Sequence, residues 1–81
     1  MSVNLILYST SHCHLCEQAE FLLKDCAIHN DIIWRSIDIS EDSTFLHLYE
    51  IKIPVLKRVD NDVEIDWPFT SRDIVNLIEM I

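Results

Sequence analysis

Apolar positions fall in short runs whose spacing changes along the chain. Val3 to Tyr8 is apolar except for Asn4, the pattern of a central strand buried on both faces. Ser9-Thr10-Ser11-His12 interrupts it as a loop. From Cys13 to Ile28 the period lengthens, and Leu15, Ala19, Leu22, Leu23 and Cys26 form one apolar stripe. Glu17, Gln18, Glu20, Lys24 and Asp25 fill the other side, so the segment predicts a helix. His29-Asn30-Asp31 is its expected stop, with Asn30 in a left-handed conformation. Ile32 to Ile39 is rich in β-branched residues and predicts a second strand.

Ser40 or Asp42 is suited to cap a short helix with Phe45, Leu48 and Tyr49 on one side. Pro54 opens a strand from Val55 to Val59, and Asp60-Asn61-Asp62 is a turn by residue type. Val63 to Trp67 alternates and returns as the second arm of a hairpin. After the loop Trp67-Pro68-Phe69, Thr70 and Asp73 are spaced as a capping box. Ile74, Leu77, Ile78 and Ile81 give a final amphipathic helix. The order β-α-β-α-β-β-α predicts an α/β fold with a four-stranded mixed sheet and helices on both faces. The first two strands should be parallel, joined by a right-handed crossover. No linker or repeat divides the chain, so residues 1–81 are expected to form a single domain.

Charge and composition remove several classes of function. The net charge is −8, from 14 acidic and 6 basic residues with no basic cluster. Such a surface repels phosphate backbones and anionic lipid, so neither nucleic acid nor membrane is an expected partner. Glycine is absent, where average usage would supply roughly six. That excludes a Gly-rich phosphate loop, a dinucleotide fingerprint and a calcium-binding hand. The start lacks a basic segment, and no apolar run nears the ~20 residues of a membrane span. The expected setting is cytoplasmic, where a close cysteine pair serves catalysis or metal binding rather than stapling.

The candidate chemistry lies at Cys13-His14-Leu15-Cys16. The pair falls where a strand ends and a helix begins. Unpaired amides and the positive end of the helix dipole stabilise a thiolate there, and thiolate is the attacking form. With Cys13 at the exposed helix start and Cys16 one turn on, Cys13 would attack a substrate disulfide and Cys16 would resolve the mixed disulfide. His14 could further stabilise the Cys13 thiolate. A second class of function stays open: His12, Cys13, His14 and Cys16 could hold zinc or copper, or Cys13 could share an iron–sulfur cluster between two chains. Zinc wants four converging ligands, and adjacent residues at a helix start diverge. Cys26 lies on the apolar stripe and is expected as a buried small hydrophobe. His29 and His47 are expected at the surface.

The segment Tyr8 to Cys16 resembles the active-site segment of glutaredoxins, and Ile53-Pro54-Val55 resembles the cis-proline segment of the thioredoxin superfamily. The resemblance spans essentially the full chain. It is strongest to a group of short bacterial glutaredoxin-like proteins with a Cys-His-Leu-Cys motif and a late Trp-Pro-Phe. It implies a thioredoxin fold and a dithiol–disulfide oxidoreductase with no resident cofactor or metal. It also implies a monomer acting on a protein or low-molecular-weight disulfide and recharged by a separate reductant. Ile53 and a cis Pro54 would then present backbone beside the sulfurs. Trp67, Phe69 and Thr70 would lie at the active-site edge as a substrate wall. The sequence departs from glutaredoxins in three places. Thr10 stands where a lysine is usual, His14-Leu15 where Pro-Tyr is usual, and Trp67 to Thr70 where a Gly-Gly pair is usual. Two customary glutathione contacts are thereby lost, and glutathione is expected at most as a weak co-substrate.

Overall fold

A computed structural model describes residues 2–80. Strand β1 (Val3–Ser9) leads into helix α1 (His14–His29) and strand β2 (Ile32–Asp38). A 3-10 turn (Ile39–Glu41) and helix α2 (Ser43–Tyr49) follow. Strands β3 (Val55–Arg58) and β4 (Glu64–Asp66) form the hairpin, and helix α3 (Ser71–Glu79) closes the order. The sheet runs β2-β1-β3-β4, with β1 parallel to β2 and antiparallel to β3. The expected mixed sheet is therefore present.

The apolar run of β1 is explained by its central place. Leu5 and Leu7 face Ala19, Leu23 and Cys26 of α1 and Ile74 and Leu77 of α3. Ile6 and Tyr8 face the other way, into a smaller cluster with Ile39, Tyr49 and Val55. Tyr8 stacks on Tyr49 at 4.2 Å between ring centroids. The Tyr49 hydroxyl donates to Glu64 at 2.5 Å, tying α2 to β4. Burial, followed by the Glu64 carboxylate, pushes the Tyr49 phenol well above its ordinary value, so it remains a donor.

Several local expectations are corrected. Helix α1 begins at His14, with Cys13 as its cap, and its buried residues are Cys16, Ala19, Leu23 and Cys26. Leu15 is 43% exposed, because Cys16 takes the stripe position one residue on. Asn30 is extended rather than left-handed, at φ −134° and ψ 148°. Its backbone and side-chain N–H groups both donate to the Cys26 carbonyl, which ends the helix without a left-handed cap. Asp42 caps α2, whereas Ser40 lies within the 3-10 turn that Asp38 caps. Leu48 is exposed, so the inner side of α2 is Tyr49 with Phe45 packed beside it. The second, third and fourth strands are shorter than expected, ending at Asp38 and Arg58 and confined to Glu64–Asp66. Thr70 and Asp73 form the expected capping box. Ile81, assigned to the last helix by its spacing, lies outside the described residues.

Arg58 ties the hairpin to the last helix. Its guanidinium donates to both oxygens of Asp60, at 2.6 and 3.0 Å. The same group donates to the carbonyls of Leu77, Ile78 and Met80, at 2.7 to 3.0 Å. These carbonyls end α3 and have no partner within the helix. The Arg58 guanidinium holds the Asp60 carboxyl below its usual value, and the Ser40 hydroxyl does the same for Asp38. In the unfolded chain both groups take up protons near about pH 4. Their stabilisation is therefore complete above that pH and disappears as pH falls through the lower folded values. An Asp60→Asn variant is expected to lose stability less steeply below about pH 4 than the wild type, followed by urea unfolding across an acid series. Parallel curves would mean that Asp60 titrates alike in both states.

Candidate active site

Parallel pairing of β1 with β2 brings Ser9 opposite Asp38 at one end of the sheet. The chain then turns through Thr10 to His12 to start α1. His12 takes a left-handed conformation at φ 58°, a corner usually left to glycine but open to histidine at modest cost. That corner delivers Cys13 to the cap of α1. Its sulfur accepts the Cys16 N–H at 3.2 Å, and its carbonyl accepts the Glu17 N–H at 3.1 Å.

Cys13 and Cys16 are joined by a disulfide, with Cα atoms 5.2 Å apart. Their exposures differ. Cys13 is partly exposed, whereas Cys16 is 4% exposed on the buried side of the helix. A cleft of about 210 Å³ opens before the pair, lined by Ser9 to Cys13, Cys16, Glu17 and Glu20. Ser11 donates to Asp38 at 3.4 Å, and Ser36 donates to Glu20 at 3.1 Å, so β2 fixes one flank. Cys26 is a free buried thiol whose pKa is pushed up, chiefly by burial. It plays no visible part in the cleft.

His14, Ile53, Pro54, Trp67, Phe69 and Thr70 do not line this cleft, although β3 pairs Val55 with Tyr8 and so brings the Pro54 end of the strand beside it. His14 is well exposed, 3.9 Å from Glu17, and does not line the cleft. The Ile53–Pro54 bond is cis, as is Trp67–Pro68. Pro54 is fully buried, and its carbonyl accepts the Trp67 N–H at 3.2 Å. Ile53 packs on the Tyr8–Tyr49 side of the sheet. Phe69 is 4% exposed in the main core, edge-on to the partly buried Trp67 at 5.1 Å. Thr70 is occupied as the cap of α3. Among the described residues, no three of His, Cys, Asp or Glu are grouped to hold a metal ion, although His12 lines the cleft with both cysteines. Nor is any helix among them long and apolar enough to cross a membrane. Sequence reasoning passed over Glu17 and Glu20 as filler on the polar side. Their spacing, four and seven residues after Cys13, was the available signal.

The family match decides what this arrangement belongs to. Residues 4–79 match the Glutaredoxin-like domain (DUF836). The chain belongs to this glutaredoxin-like family. Among solved structures, the chain is similar to protein XcR50 from X. campestris. It is 30% identical over 91% of this chain and 93% of its own, with a TM-score of 0.80. Protein Ne2328 from Nitrosomonas europaea is 26% identical over 94% and 89%, also at 0.80. Thioredoxin 1 from Thermosipho africanus is 18% identical over 94% and 90%, at 0.70, and shares the fold. The glutaredoxin-like chain thus has the thioredoxin fold expected from its sequence. No curated protein matches it.

Proposed function

We propose that this protein is a dithiol–disulfide oxidoreductase in which Cys13 attacks and Cys16 resolves. The observation that carries the proposal is the Cys13–Cys16 disulfide at the cap of α1, with the Cys16 N–H on the Cys13 sulfur. That amide and the helix dipole favour a thiolate at Cys13 once the bond is reduced. The Cys13 thiolate attacks a substrate disulfide, the substrate S–S bond breaks, and one thiolate leaves. The Cys16 thiolate then attacks the Cys13 sulfur and releases the second. The substrate gains two electrons and the protein returns to its disulfide. An external dithiol or two monothiols restore the reduced form.

The substrate is a protein or small-molecule disulfide in the cytoplasm, met by a monomer. No resident cofactor takes part. Ile53 and Pro54 supply the backbone platform at the neighbouring loop, with Trp67 at its edge. Glutathione is a poor reductant, because Thr10 and the Trp67–Thr70 loop replace two of its customary contacts. The test is a redox titration against glutathione and thioredoxin-type couples, read by mass spectrometry. One reversible two-electron transition mapped to Cys13 and Cys16 is expected. A pair locked in one state throughout, or bridges that involve Cys26, would overturn the proposal.

A further inference from the structure

The cleft before the dithiol has a one-sided charge. Glu17 and Glu20 line it, none of the six lysines and arginines of the chain does, and the histidines at hand are His12 in the lining and His14, 3.9 Å from Glu17. Glu17 and Glu20 follow Cys13 by four and seven residues, so they rise along one line of α1 at roughly 6 and 10 Å from it along the axis. Both distances fall within or near a Debye length of about 10 Å at 0.1 M salt. Glu20 is held in place by the Ser36 hydroxyl at 3.1 Å. A third carboxylate, Asp38, stands behind Ser11 and is kept ionised by its bonds from Ser40.

These carboxylates work against the chemistry of the bare site. The helix start favours a thiolate at Cys13, whereas negative charge along the same side disfavours it. A substrate cation seated against Glu17 and Glu20 removes that opposition as the disulfide arrives. We infer that the dithiol selects disulfides flanked by positive charge, such as a cystine beside lysine or arginine in a peptide. The inference rests on the oxidoreductase function proposed above and names the substrate class of that same site. The reaction balances as before: the protein dithiol is oxidised, and the cationic disulfide becomes two thiols.

The test uses the full chain, reduced with dithiothreitol and then freed of it. It is mixed with cystamine, hydroxyethyl disulfide or dithiodiglycolate, which carry two positive, no and two negative charges at neutral pH. Acid-quenched samples are read by mass for loss of the two thiol hydrogens. Glu17→Gln/Glu20→Gln serves as reference, and the quantity compared is the cystamine-to-dithiodiglycolate rate ratio, in which altered thiolate reactivity cancels. At low ionic strength this ratio is expected to be about tenfold higher in the wild type than in the double variant. In 1 M salt, where the screening length falls to about 3 Å, the two ratios should converge. Equal ratios at low salt, with all three disulfides consumed, would overturn charge selection and leave the oxidoreductase function standing. Consumption of none of them would overturn that function itself.

Discussion

Replacing Cys13 with serine is expected to abolish disulfide exchange, whereas replacing Cys16 with serine is expected to halt the reaction at a covalent intermediate. The asymmetry follows from placement on one helix turn. Cys13 caps α1, partly exposed at the cleft, and its sulfur already accepts a backbone N–H. Cys16 is turned inward beside Ala19 and Leu23, where an incoming disulfide has little access. Access and thiolate character are the two requirements for attack, and they coincide only at Cys13. Limiting iodoacetamide near neutral pH should label Cys13 first in the reduced protein. Cys16→Ser should accumulate a mixed disulfide through Cys13, and Cys13→Ser should accumulate none. Faster labelling of Cys16 would reverse the assigned roles.

The second large effect concerns the core beneath the site. Leu23 is fully buried between α1 and the sheet, in the cluster that includes Leu5, Leu7 and Leu56. Leu23→Ala should cost about 2–5 kcal/mol, the transfer term plus the cavity it leaves. At ~0.05–0.15 kcal/mol per residue, a chain of 81 residues holds only about 4–12 kcal/mol in all. The variant should therefore lose a large share of its stability, measured by urea unfolding of the oxidised protein with the slope unchanged. A loss below about 1 kcal/mol would show that the surrounding side chains close the cavity.

The order of elements was legible because each obeys a simple period. The unbroken run at β1 marks burial on both faces, and the Thr70–Asp73 spacing marks a helix start. Features fixed by tertiary contact were not legible. Leu15 and Cys16 differ by one position, and the spacing alone favoured the leucine as the buried one. The structure buries Cys16, which precedes Ala19 and Leu23 by three and seven residues and so shares their inner side of α1. Asn30 reads as a left-handed stop by composition, yet its side chain bonds back to Cys26 and needs no such geometry. At the site, the cysteine pair stood out by spacing and its place before a helix. The carboxylates of the cleft did not, since Glu17 and Glu20 look like any solvated helix face, and only the Ser36 bond to Glu20 ties that face to β2.

The Arg58 clamp also decides which parts of the molecule can open independently. One guanidinium joins the end of β3 to the last carbonyls of α3. A helix end is ordinarily the first segment to fray, opening at little cost in free energy. Here fraying must also give up three bonds from Arg58, whose same side chain holds Asp60 in its turn. The last turn of α3 and the β3–β4 hairpin should therefore exchange their amide hydrogens as one cooperative unit. The loop of Trp67 to Thr70 joins β4 to the first turn of α3, so it lies inside the stretch of chain that the Arg58 contacts close.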